Sequence, residues 1–227
     1  MNILSIGVLD FFVQEAVGFK RLLRAFCVNL YISLVSVLLS IFFGILFGFI
    51  VSKRKIFRIV FKIFLEIVRI IPIFAWLFLF YFKLSGKNGG LSGTAVSIIV
   101  FFVWGTFEFS DIILSSMEAL PKHQYESGLA IGFTYKQLYK KIIMPQIMRM
   151  VLPNAINLIV RMIKTTSIVT LIGVIEVLKV GQQIIEYNVF KNPKAPFFVY
   201  GFIFALFFVA CQTVSCFAKF FENKFKI

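Results

Sequence analysis

Acidic residues are scarce in this chain, and so are most of the groups that catalysis and metal binding draw on. Only 10 Asp and Glu stand against 24 Lys and Arg in 227 residues, and charged side chains make up 15% of the whole. A single histidine, His123, argues against a His-ligated metal site or a Ser-His-Asp triad. Cys27, Cys211 and Cys216 are odd in number and sit in apolar runs, which gives neither a disulfide framework nor metal-ligand spacing. No GxxxxGK[ST] occurs, so the chain cannot cradle ATP as a P-loop protein does. What is abundant is apolar: 60% hydrophobic side chains, 18% aromatics and a mean hydropathy of +0.94. That excludes both an ordinary water-soluble domain and a disordered one. The net charge of +14 would suit nucleic acid on a polar chain; on one this apolar it points to loops at a membrane surface.

A helix needs about 20 mostly apolar residues to cross ~30 Å of hydrocarbon. Five segments qualify: Phe26 to Val51, Val60 to Phe82, Leu91 to Met117, Leu152 to Leu178 and Pro196 to Ala218. The first and last carry no charge. The second holds Glu66, Arg69 and Pro72, the third Glu108 and Asp111, and the fourth Arg161, Lys164 and Glu176. Phe11 to Leu23 reads as an interfacial amphipathic helix leading into the first span. Basic residues crowd the connection after span one (Lys53, Arg54, Lys55, Arg58, Lys62), the one after span three (Lys122, Lys136, Lys140, Lys141, Arg149) and the tail. Basic loops stay in the cytoplasm, so the N-terminus is expected outside and the C-terminus inside. Lys20, Arg21 and Arg24 fall on the outer side in that arrangement.

Between spans three and four, residues 118–150 read as helix, glycine break, helix. Gly132 can take the left-handed conformation that closes a helix. Thr134 with Gln137 fits a capping box for a second start. Tyr135, Leu138, Tyr139 and Ile142 share one helical face, with Lys136, Gln137, Lys140 and Lys141 opposite. Pro145 is expected to end or kink that second helix. Inside the membrane, Asn154, Asn157, Arg161 and Lys164 fall on one face of span four, and Glu108 and Asp111 on one face of span three. Charges at that depth are expensive enough that they face protein or a watery cavity. They serve either to neutralise one another or to hold a substrate. Arg69 beside Pro72 either satisfies carbonyls freed by the kink or faces the cavity. Gly44 and Gly48 suit close helix contact.

Residues 118–150 resemble the EAA loop of ABC-importer permeases. Glu126, Ser127, Gly128, Gly132, Ile142, Met144 and Pro145 fall at that motif's offsets without insertion. The likeness continues in the style of the polar amino acid branch. Pro121 and Gln124 precede the loop, and Gln146, Arg149, Leu152, Pro153, Asn157, Lys164, Thr166, Ser167 and Glu176 follow in register. Upstream, Arg69 to Pro72 resembles an Arg-Gly-Thr-Pro element, and Asn29 stands where a Thr usually opens the first span. Departures include Ser127 and Gly128 for two alanines, which is expected to weaken the first loop helix by about 1 kcal/mol.

This resemblance implies an all-α membrane protein with the type I ABC importer permease fold. It would have an interfacial segment over 1–25, one permease domain over 26–222 and a short tail over 223–227. In that family the loop docks into a cleft of a cytoplasmic ATPase. By implication Glu126 offers a carboxylate, Leu129, Ala130 and Ile131 an apolar plug, and Gly132 the angle between the helices. The implied setting is a bacterial inner membrane. Partners would be an ATPase dimer that binds ATP and Mg, a second permease chain and an extracytoplasmic solute-binding protein. The cargo would be a polar amino acid, with Arg69, Glu108, Asp111, Asn157, Arg161 and Lys164 as candidate pathway residues. No catalytic residue, resident cofactor, metal or nucleic acid is implied. The competing reading is a secondary transporter or channel that uses the intramembrane charges as a relay.

Overall fold

The computed structural model describes residues 16–85, 90–190 and 192–225, and every regular element among them is a helix. Helix α1 (Ala16–Ser52) is followed by α2 (Lys55–Ile70), α3 (Ile73–Leu84) and α4 (Gly93–Glu118). Short helices α5 (Lys122–Ala130) and α6 (Tyr135–Leu138) lead through a π-helical stretch (Tyr139–Ile143) into α7 (Met144–Thr165). A 3-10 segment (Thr166–Ile172), α8 (Val177–Asn188) and α9 (Ala195–Phe225) complete it.

Helix α1 runs for 37 residues without a break. At 1.5 Å per residue that is about 55 Å, well beyond the ~30 Å of a hydrocarbon core. Lys20, Arg21 and Arg24, all exposed, lie in the opening turns of α1. Of the interfacial helix expected over Phe11 to Leu23, the part before Ala16 lies outside the described residues. The rest is not a separate element but the opening turns of α1.

Small residues set how α1 meets α4. Ser36, Ser40, Gly44 and Gly48 recur at every fourth position and line one face. Ser36 Oγ donates to Ile98 O at 3.3 Å, Ser40 Oγ to Phe102 O at 3.1 Å, and Ser110 Oγ to Gly44 O at 3.2 Å. A Cβ at Gly44 would lie 2.7 Å from Phe109 Cβ, and one at Gly48 2.8 Å from Ile113 Cβ. The backbones approach to a distance that only hydrogen side chains allow, as small-residue stripes permit in lipid. The partners ascend together along both chains, so α1 and α4 run parallel.

That direction fixes the path. The chain leaves α1 at one end of the bundle and re-enters α4 at the other, so α2 and α3 together carry it back. The single span expected from Val60 to Phe82 is in fact this pair, bent by 91°. Pro72 lacks an N–H and forces the residue before it out of the helical region; Ile71 is extended, with ψ 120°. Glu108 meets Arg161, while Gly93 at the start of α4 lies against Ile172 and Val174 beyond the end of α7, so α7 runs antiparallel to α4. Rings of Phe19 and Phe26 meet Phe202 and Phe207, which makes α9 parallel to α1. Five passages result, counting the bent pair as one.

The fourth span differs from expectation at both ends. Pro145 does not end the helix after the loop, because the π-helical stretch absorbs it: Met144 N–H reaches back to Tyr139 O, and α6 and α7 continue as one rod. At the far end, three hydroxyls compete for the ladder. Thr165 Oγ1 donates to Arg161 O, Thr166 Oγ1 to Ile163 O and Ser167 Oγ to Lys164 O, at 2.7, 2.7 and 2.9 Å. The helix tightens to 3-10 geometry and stops at Gly173, whose φ is +80°. Glu176 is thus not inside the span but caps α8, accepting from Leu178 and Lys179 N–H at 3.0 and 2.9 Å.

Candidate functional site

Two places on this scaffold carry chemistry. The first is a charge cluster where α2, α4 and α7 meet. Glu108 is 5% exposed. Its Oε1 accepts from Arg69 Nε at 2.8 Å and its Oε2 from Arg161 Nη2 at 2.5 Å. Arg69 also donates through Nη2 to Asp111 Oδ2 at 2.9 Å. The Pro72 bend is what lets Arg69, in the last turn of α2, reach both carboxylates on α4. Arg69 pairs ions between the bent span and α4, and no hydrogen bond from it to a carbonyl is found among the described residues. The guanidinium of Arg161 lies over the ring of Trp104, 5.0 Å from its centroid. Trp104 escaped the sequence reading, although it precedes Glu108 by four positions and so shares its face.

Asn154, Asn157, Arg161 and Lys164 do share one face of α7, and all four are exposed. Of these, Arg161 joins the cluster; Asn157 and Lys164 take no part in its ion pairs. Neutralisation between Glu108 and Arg161 is observed, whereas pairing of Lys164 with an acid is not found among the described residues. No three His, Cys, Asp or Glu side chains gather among the described residues where a metal ion could be held.

The second place is the loop. Gly132 has φ +88°, and Phe133 N–H donates to Gly128 O at 3.1 Å while Gly132 N–H donates to Leu129 O at 3.0 Å. This satisfies the last carbonyls of α5 and turns the chain. Thr134 and Gln137 then cap α6 reciprocally. Gly128 is buried against Leu138, and a Cβ there would collide with the Leu138 side chain. The glycine that was expected only to weaken α5 instead makes room for the residue that closes the two helices on each other. Tyr125 and Tyr139 meet edge to face at 6.0 Å. Burial, then Tyr139, pushes the Tyr125 phenol above its ordinary range, so it stays neutral. Outward from this hinge, Glu126, Ser127, Leu129, Ala130 and Ile131 are exposed, Ile131 by 72%. Ile142 is half-buried and Pro145 exposed. At the base of the loop, Glu118 pairs with Arg58 at 3.1 Å and Lys62 at 3.2 Å, a tie to α2 that the sequence reading did not anticipate.

Residues 40–225 match the family described as binding-protein-dependent transport system inner membrane component. The chain belongs to this family. It is 27% identical over 172 residues to the glutamate/glutamine/aspartate/asparagine transport system permease protein of Rhodobacter capsulatus, covering 71% of this chain and 38% of that one. It is 26% identical over 172 residues to the probable glutamine ABC transporter permease protein of Bacillus subtilis, covering 75% and 78%. The matched stretch spans between 37% and 50% of the length of several other relatives. A chain of an amino acid ABC transporter crystal structure superposes with TM-score 0.80 at 20% identity, over 94% of this chain and 98% of that one. A chain of a methionine ABC transporter gives 0.72 at 16%, over 92% and 98%. The likeness to these two establishes the fold. This inner membrane component family places the apolar helices described above in an integral membrane protein.

Proposed function

We propose that this chain is a permease subunit of an ATP-driven importer of polar amino acids, working in a bacterial inner membrane. Relatives whose names refer to glutamine and to glutamate, aspartate and asparagine transport support the substrate class. The observation that carries the reading is the loop at residues 118–150. It is a hinge-closed pair of helices that presents an exposed carboxylate, Glu126, with no partner among the described residues, beside exposed Leu129 and Ile131. Apolar side chains held on a polar loop call for a protein partner. That partner is a separate ATPase, which binds ATP and Mg, since this chain has no P-loop. Its closure pushes on α5; the rigid rod of α6 and α7 carries the displacement to Arg161, and the Glu118 tie carries it to α2.

Sidedness follows from this role. The loop and the C-terminus face the cytoplasm and the start of α1 faces outward, in keeping with the basic connections. Five passages enclose too little for a pathway, so a second permease chain covers the exposed polar face of α7, with an extracytoplasmic binding protein delivering cargo. Coupling rests on Glu126, Ser127, Gly128, Leu129, Gly132, Ile142 and Pro145; the pathway is lined by the charge cluster with Asn157 and Lys164. The test is purification from native membranes in mild detergent. A P-loop ATPase retained with the chain supports the proposal. Transport that persists without any ATPase would instead identify a secondary transporter or channel using the cluster as a relay.

A further inference from the structure

The cluster is nearly neutral as a whole but not at the surface a ligand would meet. Arg69 and Arg161 bring two positive charges against the two negative ones of Glu108 and Asp111, and Lys164, outside these ion pairs, adds a third positive charge on the same face of α7. The acids lie behind the arginines: the Glu108 side chain is 7% exposed and that of Asp111 20%, against 52% for Arg161 and 37% for Arg69. Both oxygens of Glu108 are filled by guanidinium donors, and Asp111 gives Oδ2 to Arg69. Asp111 Oδ1 has no partner among the described residues and can accept the ammonium of an amino acid without displacing an arginine.

The donors are open as well. Arg161 uses Nη2 for Glu108, and its Nε and Nη1 meet no acceptor among the described residues. Its plane is braced from the side by Trp104, so a planar carboxylate can be met by a guanidinium already held in place. Lys164 stands one turn further along the same exposed face and has no acidic partner among the described residues. Trp104 also borders a small cavity shared with Val68, Trp76, Phe80, Val100 and Val103. There Trp76 Nε1 is a buried donor with no acceptor among the described residues. An uncompensated cation at this depth is costly unless an anion joins it.

We infer that the polar face of α7 selects substrates carrying net negative charge, dicarboxylic amino acids of the glutamate and aspartate type, with Arg161 and Lys164 each meeting one carboxylate. This specificity rests on the permease reading above. A neutral amide analogue keeps one of the two ionic contacts, and a basic amino acid sets like charge against Lys164.

The experiment uses the permease with its co-purified ATPase in liposomes and no binding protein, so that any selectivity is the permease's own. Binding and stimulation of ATP hydrolysis are measured with L-glutamate, L-glutamine and L-arginine. Glutamate is expected to bind at least ~tenfold more tightly than glutamine, a difference of about 1.4 kcal/mol, and arginine not to bind. Lys164→Gln should bring the glutamate-to-glutamine ratio towards one, and Lys164→Arg should restore it. Tighter binding of glutamine or arginine, or an unchanged ratio in Lys164→Gln, overturns the inference and leaves the permease reading standing. Failure of all three amino acids to bind or stimulate the wild-type complex overturns the inference, while the permease reading stands or falls on retention of the ATPase.

Discussion

Asn29 and Glu176, 147 positions apart, are bonded to each other in the interior of the bundle. Asn29 Nδ2 donates to Glu176 Oε2 at 3.1 Å, and its Oδ1 accepts the N–H of Val177 at 3.2 Å. Both residues are fully buried. One amide thus secures the cap of α8 to the middle of α1, and α8 packs there through Val177, Val180 and Ile184 against Leu22, Ala25 and Phe26.

Removing that amide takes one of the donors from Glu176 Oε2, which keeps Leu178 N–H, and leaves the buried Val177 N–H without its acceptor. Asn29→Ala is expected to destabilise the protein by about 1–3 kcal/mol, seen as a lower Tm in detergent. An unchanged Tm would show that α8 is held by its apolar contacts alone.

The α1–α4 interface has no room for a side chain at Gly44. Gly44→Leu is expected to cost about 1–3 kcal/mol through overpacking, since the Phe109 Cβ it meets belongs to the backbone-proximal part of that side chain and cannot swing away. The check is thermal stability together with cysteine cross-linking between α1 and α4. An intact cross-link at wild-type Tm would contradict the close approach.

Glu108 balances two arginines at once. Glu108→Ala leaves both facing each other in the membrane and is expected to destabilise by about 3–5 kcal/mol, lowering the amount of inserted protein. Asp111→Ala, which leaves Arg69 its Glu108 contact, is expected to do much less. Equal yields and Tm values for the two variants would refute the ranking.

Gly132 has open space around it but a positive φ. Any penalty for a side chain there is therefore conformational, of the order of 1–2 kcal/mol, and confined to the hinge. Gly132→Val is expected to leave insertion and Tm near wild type while uncoupling ATP hydrolysis from uptake. Full transport by this variant would remove the hinge from the mechanism.

Much of this was legible in the chain. The glycine break and the Thr134–Gln137 cap depend on neighbours within a few positions, and local sequence carries them; the spacing of Gly44 and Gly48 marks a close approach but not its partners, Phe109 and Ile113 on α4. The reading of Gly44 and Gly48 stopped short because serine was not counted with glycine; Ser36 and Ser40 extend the same four-residue repeat. The errors concern what happens when local signals compete. Pro72 announces a bend, but not the 91° turn that splits the span into two helices. Pro145 reads as a terminator, yet one wider turn absorbs it. Thr165, Thr166 and Ser167 look like an ordinary stretch of an apolar span until their hydroxyls take the carbonyls that the helix needs. The role of Gly128 as clearance for Leu138 needs the loop folded back on itself, which no linear pattern displays.

The most direct test of coupling through the loop is site-specific cross-linking at its tip. With Cys27, Cys211 and Cys216 replaced by serine, Ile131→Cys is expected to form a cross-link to a P-loop ATPase in native membranes, with a yield that changes on adding ATP. Labelling of that cysteine by a membrane-impermeant reagent from the outer face, with no cross-link to any nucleotide-hydrolysing chain, would contradict it.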